Sequence, residues 1–205
     1  MLFGRSEWSN AFLHAADAWE NNLAILGEID SQFGDGDHGL TMVKIAKAVR
    51  QSVQDWTDQP LQEFLSDLSF SIMGVGGGAA GPLYGTVVGG MAEPLLADAQ
   101  NTDAQMLKAM LVASQEAMEA TSKARAGDKT MMDALIPAVA AAQEADDDIA
   151  AVLQAAADAA AGGAEATANM VAKYGRARNY GEATIGTRDA GAVSLSLFFK
   201  GLAER

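Results

Sequence analysis

The sequence predicts an all-α fold, a single domain in which eight antiparallel helices form a bundle or barrel. Apolar residues recur at intervals of three and four through most of the chain. Alanine, the residue with the highest helix propensity, dominates residues 146–173. Strand-like alternation occurs at Val193, Leu195 and Leu197, but a lone strand would have no partner. The length of 205 residues suits one domain over residues 1–205.

Local signals place the individual helices. Pro60 and Pro82 stand where a helix can begin, because the first turn does not need the N–H that proline lacks. Thr102 and Asp103 can cap the fifth helix, and Asp189 can cap the last. The predicted helices cover residues 8 to nearly 30, 43–53, 61–72, 82–93, 103–121, a segment after Thr130, residues 146–173 and a segment after Asp189.

Charge and composition exclude several classes of protein. A formal net charge of −13 would repel nucleic acids and anionic membranes, so neither is expected as a principal partner. The chain has no cysteine and opens without a basic and apolar leader, which predicts a cytoplasmic protein that is not exported. Residues 69–92 are uncharged, but Pro82 and the glycines at 76–78 argue against a membrane span.

Irregular connections are predicted at residues 30–39, 74–81, 122–129 and 174–189. Successive helices with short connections run antiparallel, so every second connection lies at the same end of a bundle. With eight helices, these four are the first, third, fifth and seventh connections, and they carry most of the unusual residues. We therefore expect the four loops to meet and to form the functional site.

The first loop is an acidic cluster in which glycines separate Asp30, Asp35 and Asp37. Carboxylates crowded in this way repel one another unless a cation joins them. A solvated turn that caps the next helix is the alternative. Because oxygen ligands suit magnesium, the three aspartates are candidate magnesium ligands. His38 is placed to donate a hydrogen bond to a phosphate oxygen.

Two other kinds of metal site are poorly supported. An EF-hand counted from Asp35 would place Gly39 at the third ligand and Ala46 at the bidentate glutamate. Zinc would have only His14 and His38 as nitrogen ligands, in a chain without cysteine. His14 lies inside the first predicted helix, where we expect a structural role.

The second loop contains a G-x-G-x-x-G pattern at Gly76, Gly78 and Gly81. No strand precedes it, so it does not indicate a dinucleotide fold, and the lysine of a P-loop is missing. Glycines before a helix that starts near Pro82 can present amide donors and a positive dipole end to an anion. Close packing of small residues between helices is an equally good interpretation.

The third and fourth loops each contain a short motif that combines glycine, a cationic residue and a possible helix cap. The third ends in Gly127-Asp128-Lys129-Thr130-Met131, and the fourth contains Gly175-Arg176 and Asp189-Ala190-Gly191. An arginine can bind phosphate through two parallel hydrogen bonds. Taken singly, either loop fits a surface turn, so their expected meeting beside the aspartates is what favours a binding site.

Four motifs together resemble the nucleotide-binding L subunit of dihydroxyacetone kinase. Their order and spacing match over almost the whole chain, and the length fits the free-standing subunit rather than the fused two-domain kinase. The resemblance implies an eight-helix barrel that holds ADP or ATP and two Mg²⁺ ions at one end. The motifs are Gly34-Asp35-Gly36-Asp37-His38-Gly39, Gly81-Pro82-Leu83-Tyr84-Gly85-Thr86, Gly127-Asp128-Lys129-Thr130-Met131 and Gly175-Arg176-Ala177.

The same resemblance implies a role for each matching residue. The three aspartates of the first loop would ligate magnesium, and the backbone of residues 78–81 would cradle the phosphates. Met131 would line the adenine pocket, and Arg176 would contact phosphate. The turn at residues 189–191 would close over the nucleotide. The implied nucleotide-binding residues are His38, Gly39, Leu40, Thr41, Gly78, Ala79, Ala80, Gly81, Ser122, Thr130, Met131, Arg176, Asp189, Ala190 and Gly191.

Members of this family act with a separate K subunit, which holds the ketone covalently on its own histidine. The phosphoryl group would therefore pass from magnesium-bound nucleotide to dihydroxyacetone on another chain. In one branch ADP stays bound and is rephosphorylated by a phosphocarrier M subunit at the expense of phosphoenolpyruvate. A free-standing chain favours this branch, and exchangeable ATP is the alternative donor. A transcriptional regulator and a second copy of the chain are further implied partners.

Several residues depart from the family pattern. Ala80 replaces a serine that assists phosphate binding, and Ala190 replaces a common proline. Thr187 and Arg188 replace a histidine and its polar neighbour. A four-carbon ketose such as erythrulose is therefore an alternative substrate. The related domain of fatty-acid kinases usually has threonine in place of His38, which favours the ketose kinase. A nucleotide-sensing interaction module is the alternative of another class.

Overall fold

The computed structural model describes residues 2–204 and confirms the all-helical class. Over this range the β-structure is limited to one isolated antiparallel bridge between Phe3 and Thr102. Two short 3-10 segments, Thr167–Asn169 and Ala177–Thr184, precede the last helix. The α-helices of the described residues are α1 (Arg5–Asn21), α2 (Leu23–Ser31), α3 (His38–Asp55), α4 (Leu61–Met73), α5 (Ala80–Ala92), α6 (Ala104–Thr121), α7 (Met132–Glu144), α8 (Ile149–Ala166) and α9 (Ala190–Ala203).

Eight of these helices form a closed ring. α1 packs against α3, each helix from α3 to α8 packs against the next along the chain, and α9 packs back against α1. α2 lies against α3 and α9. The predicted eight-helix barrel is therefore confirmed as a ring, and α2 is an additional short helix that leads into the first loop.

The additional helix exists because the first predicted helix is interrupted at Asn22. The backbone of Asn22 has φ −110° and ψ 15°, outside the helical range. Its side-chain amide donates to the carbonyl of Ala18 at 2.8 Å. Asparagine side chains compete in this way for backbone partners, which weakens a helix interior. The apolar stripe continues across the break, so periodicity alone could not locate it.

The core of the ring is aromatic where α1 meets α9. Trp19 stacks on Phe198 with ring centroids 5.7 Å apart, and Phe12 packs against both Trp8 and Phe198. All four side chains are buried. The two helices come close because Gly201 of α9 has no side chain where it faces the backbone of α1. Trp8, Phe12 and Trp19 belong to the apolar stripe that predicted α1, so the predicted face of this helix is the one that packs in the core.

Two other helix boundaries differ from the prediction, and a third agrees with it. α5 begins at Ala80, two residues before Pro82, which still lies in the first turn. α8 ends at Ala166 rather than near Lys173, and the 3-10 segment that begins at Thr167 follows it. The Thr167 hydroxyl donates to the Ala164 carbonyl at this end of the helix. α9 is a helix capped by Asp189, whose carboxylate accepts from the Ala192 amide at 2.8 Å. The predicted helix is confirmed over the strand alternative.

The uncharged stretch at residues 69–92 is divided between α4, a glycine loop and α5. Over residues 2–204, none of the helices combines the length and the apolar character needed to cross a bilayer.

Candidate functional site

The four irregular loops meet at one end of the barrel, as the alternation of connections predicted. Together they line a cavity of about 580 Å³. Its apolar lining includes Ile29, Leu83, Met118, Met131 and Met132, from four different parts of the chain. Aspartates and glycines also line it. The loop residues that line it are Asp30, Phe33, Gly34 and Asp37; Gly77, Gly78, Ala79 and Ala80; Ser122, Lys123, Ala124, Lys129 and Thr130; and Tyr174, Gly175, Arg176, Ala177, Thr187, Arg188, Asp189, Ala190 and Gly191.

The acidic cluster forms at the junction of α2 and α3. One carboxylate oxygen from each of Asp30, Asp35 and Asp37 lies within 4.8 Å of the others. The turn requires glycine at position 34, because a Cβ there would lie 2.2 Å from Asp30 Oδ1. Gly36 takes a φ of 75°, which is favourable only for glycine. The loop sequence thus brings three negative charges to one point.

These three side chains fit a hard divalent cation. Asp30 Oδ2 is buried and has no hydrogen-bond partner among the described residues. A buried carboxylate oxygen without a partner costs free energy, and a cation would remove that cost. The donors are all carboxylate oxygens, which are the ligands that Mg²⁺ and Ca²⁺ prefer.

Three contacts join the first loop to the fourth, and we call them the clasp. Thr187 Oγ1 lies 2.8 Å from Gln32 Oε1, and the Phe33 ring packs on the Tyr180 ring with centroids 5.1 Å apart. Arg176 forms an ion pair with Asp35 at 2.7 Å. In this conformation Arg176 compensates the charge of the acidic cluster. Thr187, a departure from the family pattern, is one half of a clasp contact.

The glycine loop before α5 combines both interpretations that its sequence left open. A Cβ at Gly81 would lie 2.6 Å from the Val75 carbonyl oxygen, so this glycine is required for packing. Gly78 has φ 65° and nothing within 4 Å of a Cβ position, and it lines the cavity. The N-terminus of α5 at Ala80 also lines the cavity. Unpaired amide groups at such a terminus can bind an anion.

The third loop is held by Asp133 and connected to the fourth by Lys129. The carboxylate of Asp133 accepts from the amides of Gly127 and Thr130. Lys129 has φ 59°, which is uncommon for a residue with a side chain. Its buried ammonium donates to the carbonyls of Thr167 and Thr187. Burial lowers the pKa of Lys129. Lys129 therefore stabilises the junction of the two loops.

Asp189 is half-buried at the start of α9. Burial raises the pKa of its carboxyl group to about 6, and the opposing effects of the Ala192 amide and the Lys129 charge are smaller. Between pH 4 and 6 the folded protein therefore holds a proton that the unfolded chain has already lost. A raised pKa of this kind makes the folded state less stable as the pH rises.

Replacing Asp189 with asparagine should remove this dependence on pH. Because a pKa unit corresponds to about 1.36 kcal/mol, the variant should gain about 2 kcal/mol relative to wild type between pH 4.5 and 7. Urea unfolding of both proteins at the two pH values measures the difference. Asp158→Asn, at an exposed position of α8, is the control and should show no such gain. A constant difference between wild type and Asp189→Asn would contradict the prediction.

His38 lines the cavity, and one of its ring nitrogens forms a contact inside the protein. Its Nε2 lies 2.8 Å from the Oγ of the buried Ser194. Burial lowers the pKa of His38. The carboxylates of Asp30 and Asp37 and a backbone hydrogen bond with Ala190 raise this pKa, but their effect is smaller than that of burial. The predicted position of His38 at the site agrees with the structure, and its contact with Ser194 adds an interaction that its motif did not indicate.

Most of the predicted nucleotide-binding residues line the cavity, and four do not. Gly39 packs against α2, where a Cβ would lie 2.2 Å from the Leu23 carbonyl oxygen. Leu40 is 58% exposed. Thr41 is buried beneath Gly77, and its hydroxyl has no partner among the described residues. Gly81 has the packing position described above. The predicted residues that do line the cavity are Asp30, Asp37, His38, Gly78, Ala79, Ala80, Ser122, Thr130, Met131, Arg176, Asp189, Ala190 and Gly191.

Sequence reasoning missed several residues of the site. Met118 and Met132 lie on helices whose apolar periodicity indicated only core. Ser194 lies in the alternating segment and was not predicted as a site residue, and it is fully buried. A serine on the apolar face of a helix that starts at Asp189 was the available signal, because a buried hydroxyl needs a partner.

Comparison with known proteins agrees with this site. The DAK2 domain matches residues 32–204. The ADP-binding subunit DhaL of PEP-dependent dihydroxyacetone kinase 1 from Listeria innocua is 31% identical over 94% of this chain and 90% of its own length. D-erythrulose kinase from Mycolicibacterium smegmatis is 32% identical over 96% of this chain, which spans 34% of that enzyme.

A solved structure shows the same fold. The dihydroxyacetone kinase of C. freundii, in complex with AMP-PNP and Mg²⁺, aligns with a TM-score of 0.69 and 25% identity, over 95% of this chain and 33% of that one. This chain thus spans about a third of the two longer kinases and nearly the whole of the Listeria subunit. The chain belongs to the DAK2 domain family, and the resemblance to the L subunit of dihydroxyacetone kinase is confirmed.

Proposed function

We propose that this chain is the ADP-binding phosphotransferase subunit of a dihydroxyacetone kinase. It would transfer a phosphoryl group from magnesium-bound nucleotide to dihydroxyacetone held by a partner K subunit. The observation that carries the proposal is a cavity of about 580 Å³ that is lined both by apolar side chains and by Asp30 and Asp37, which cluster with Asp35. Such a cavity matches a nucleotide, which is apolar at its base and anionic at its phosphates.

Asp30, Asp35 and Asp37 would hold two Mg²⁺ ions against the phosphates. The unpartnered Oδ2 of Asp30 supports this assignment. Bound magnesium would neutralise phosphate charge and align the transferred group. Arg176 would exchange its ion pair with Asp35 for a phosphate oxygen, since the guanidinium is 63% exposed and can move.

The remaining contacts follow from the cavity wall. Backbone amides of residues 78–81 at the start of α5 would bind phosphate without the hydroxyl that Ala80 lacks. Met131, with Ser122 and Thr130 beside it, would contact the base. The turn from Asp189 to Gly191 would close over the nucleotide. Leu40 and Gly39 would act indirectly, through the packing of α3 at the first loop.

Phosphoryl transfer needs alignment and charge neutralisation more than a protein nucleophile. The cavity is lined by acidic and basic side chains that can bind cations and anions, and by one histidine, His38. The residue that anchors the ketone would therefore come from the K subunit. Erythrulose is the alternative substrate, favoured by the likeness to D-erythrulose kinase. A regulator and a second copy of the chain remain predicted partners, and the cytoplasm remains the predicted location.

We further propose that the nucleotide stays bound as ADP and is rephosphorylated by a phosphocarrier M subunit. The clasp supports this proposal. With Arg176 on a phosphate, two clasp contacts would remain, Gln32–Thr187 and Phe33–Tyr180. Phe33 and Thr187 line the cavity, so these contacts would slow the departure of the nucleotide. Exchangeable ATP would not need such a closure.

The proposal predicts that protein purified without added nucleotide contains nearly one ADP per chain. Denaturation followed by an assay of the supernatant measures it. Tyr180→Ala, which removes one clasp contact, should lose ADP faster during dialysis, whereas Tyr180→Phe keeps the ring and should retain it. Absence of ADP in wild type, with ketone phosphorylation supported by ATP and a K subunit, would contradict retention and favour the ATP alternative. Ketone phosphorylation by this chain alone would contradict the division of labour.

A further inference from the structure

Ser194 of α9 is a buried meeting point for three other helices. The indole nitrogen of Trp19, on α1, donates to the Ser194 carbonyl at 2.9 Å. The Tyr84 hydroxyl, on α5, donates to Ser194 Oγ at 2.8 Å, and His38 Nε2, on α3, lies 2.8 Å from the same oxygen. Ser194 is 0% exposed and Tyr84 is 1% exposed. His38 and Tyr84 both line the cavity, whereas Trp19 and Ser194 do not.

The contacts of the serine hydroxyl restrict the tautomer of His38. A serine hydroxyl has one proton and two lone pairs. One lone pair of Ser194 Oγ accepts from the Tyr84 hydroxyl. The serine proton is shared between two acceptors, the Gly191 carbonyl at 3.1 Å and His38 Nε2 at 2.8 Å. Whichever of the two it bonds to, the contact with Ser194 holds the His38 ring in one tautomer.

We infer that Ser194 is a positioning residue that fixes the ring of His38 at the mouth of the cavity, and that Tyr84 acts on His38 through Ser194. His38 then presents its other edge, with Nδ1, in one orientation. The inference rests on the proposed function for the part His38 plays in transfer, but its structural half concerns the free protein alone. Trp19 contributes by holding the backbone of Ser194, so α9 cannot rotate without breaking the cluster.

The chain is well suited to a direct test because it has only two histidines. In protein labelled with ¹⁵N-histidine, long-range ¹H–¹⁵N spectra report the tautomer of each ring. Wild-type His38 should show a single tautomer, with well-separated shifts for its two ring nitrogens. In Ser194→Ala its two ring nitrogens should move toward a common, averaged shift, while those of His14 stay in place. Alanine has the higher helix propensity, so this variant should fold.

Two further variants separate positioning from a general structural effect. Ser196→Ala removes a hydroxyl from the same helix that bonds only to the Val193 carbonyl, and it should leave His38 unchanged. Tyr84→Phe should shift His38 in the wild-type background but add nothing in the Ser194→Ala background, because the hydrogen bonds that connect Tyr84 with His38 run through Ser194 Oγ. An unmoved His38 in Ser194→Ala, or an additional shift in the double variant, would overturn the inference.

The transfer reaction provides the second readout. With a K subunit and a phosphoryl donor, Ser194→Ala should lower the rate at least about tenfold, since misplacing a reacting group is costly, while retained ADP stays near the wild-type level. An unchanged rate would overturn the role of Ser194 in transfer. If wild type itself transfers nothing, the proposed function fails, and the histidine spectra still decide whether Ser194 fixes His38.

Discussion

Replacing Asp30 with asparagine is expected to abolish tight, magnesium-dependent binding of ADP and, at the same time, to stabilise the metal-free protein. Asp30 contributes a buried oxygen without a partner, within 4.8 Å of two other carboxylates. Its charge therefore opposes folding unless a cation is present. Asparagine keeps the shape and removes the charge. The two effects have opposite signs because the carboxylate serves binding at the expense of stability.

The expected loss in affinity is about 100-fold or more, which corresponds to about 2.7 kcal/mol of binding free energy. Calorimetric titration of nucleotide-stripped protein with ADP, with and without Mg²⁺, measures it. Urea unfolding in the presence of a chelator should show a gain of about 1 kcal/mol, the scale of the repulsion between two like charges about 4 Å apart in water. Circular dichroism should be unchanged, because the loop lies outside the core.

Glu28→Gln provides a matched control, since Glu28 is an exposed acid on the same helix, α2. It removes one negative charge from the same helix, and it should change neither the affinity for ADP nor the free energy of unfolding strongly. If Asp30→Asn bound ADP with wild-type affinity and kept the dependence on Mg²⁺, Asp30 would not be a metal ligand. If both variants weakened binding equally, the effect would be long-range charge rather than coordination.

Much of the site could be predicted because it depends on periodicity and chain order. Apolar spacing identified the helices, and alternation of connections placed the Asp30, Gly78, Thr130 and Arg176 loops at one end, where they line one cavity. These inferences need only the direction of each helix. The break at Asn22 did not change them, because α2 remains at the same end as the loop it enters.

The rest of the site depends on contacts between residues far apart in the sequence. Gly39 looked like part of a phosphate loop, yet its missing Cβ makes room for a carbonyl of α2. Ser194 was not predicted as a site residue, yet its hydroxyl contacts His38 of α3 and Tyr84 of α5. Neither property follows from local sequence, since both depend on which helix lies opposite. The clasp likewise joins residues about 150 positions apart, such as Gln32 and Thr187.

Two adjacent glycines of α8 should respond to alanine with opposite signs. A Cβ at Gly163 would lie 2.0 Å from the Asp133 carbonyl oxygen and 2.9 Å from Pro137 Cγ, so α7 and α8 would have to separate. Overpacking of this kind costs about 1–3 kcal/mol. A Cβ at Gly162 meets nothing within 4 Å. Alanine there should stabilise the helix by about 0.5–1 kcal/mol, the usual gain over glycine in a helix interior.

The pair also tests whether helix packing supports the site. The backbone carbonyl of Asp133 faces Gly163 of α8. The carboxylate of Asp133 accepts from two amides of the third loop. Gly163→Ala should therefore weaken ADP binding as well as lower the free energy of unfolding, whereas Gly162→Ala should leave binding unchanged. Urea unfolding and calorimetric titration of both variants measure the two effects. Equal stabilisation by both substitutions would mean that α7 and α8 are not in contact at Gly163, and reduced stability with normal ADP affinity would mean that the third loop does not depend on this packing.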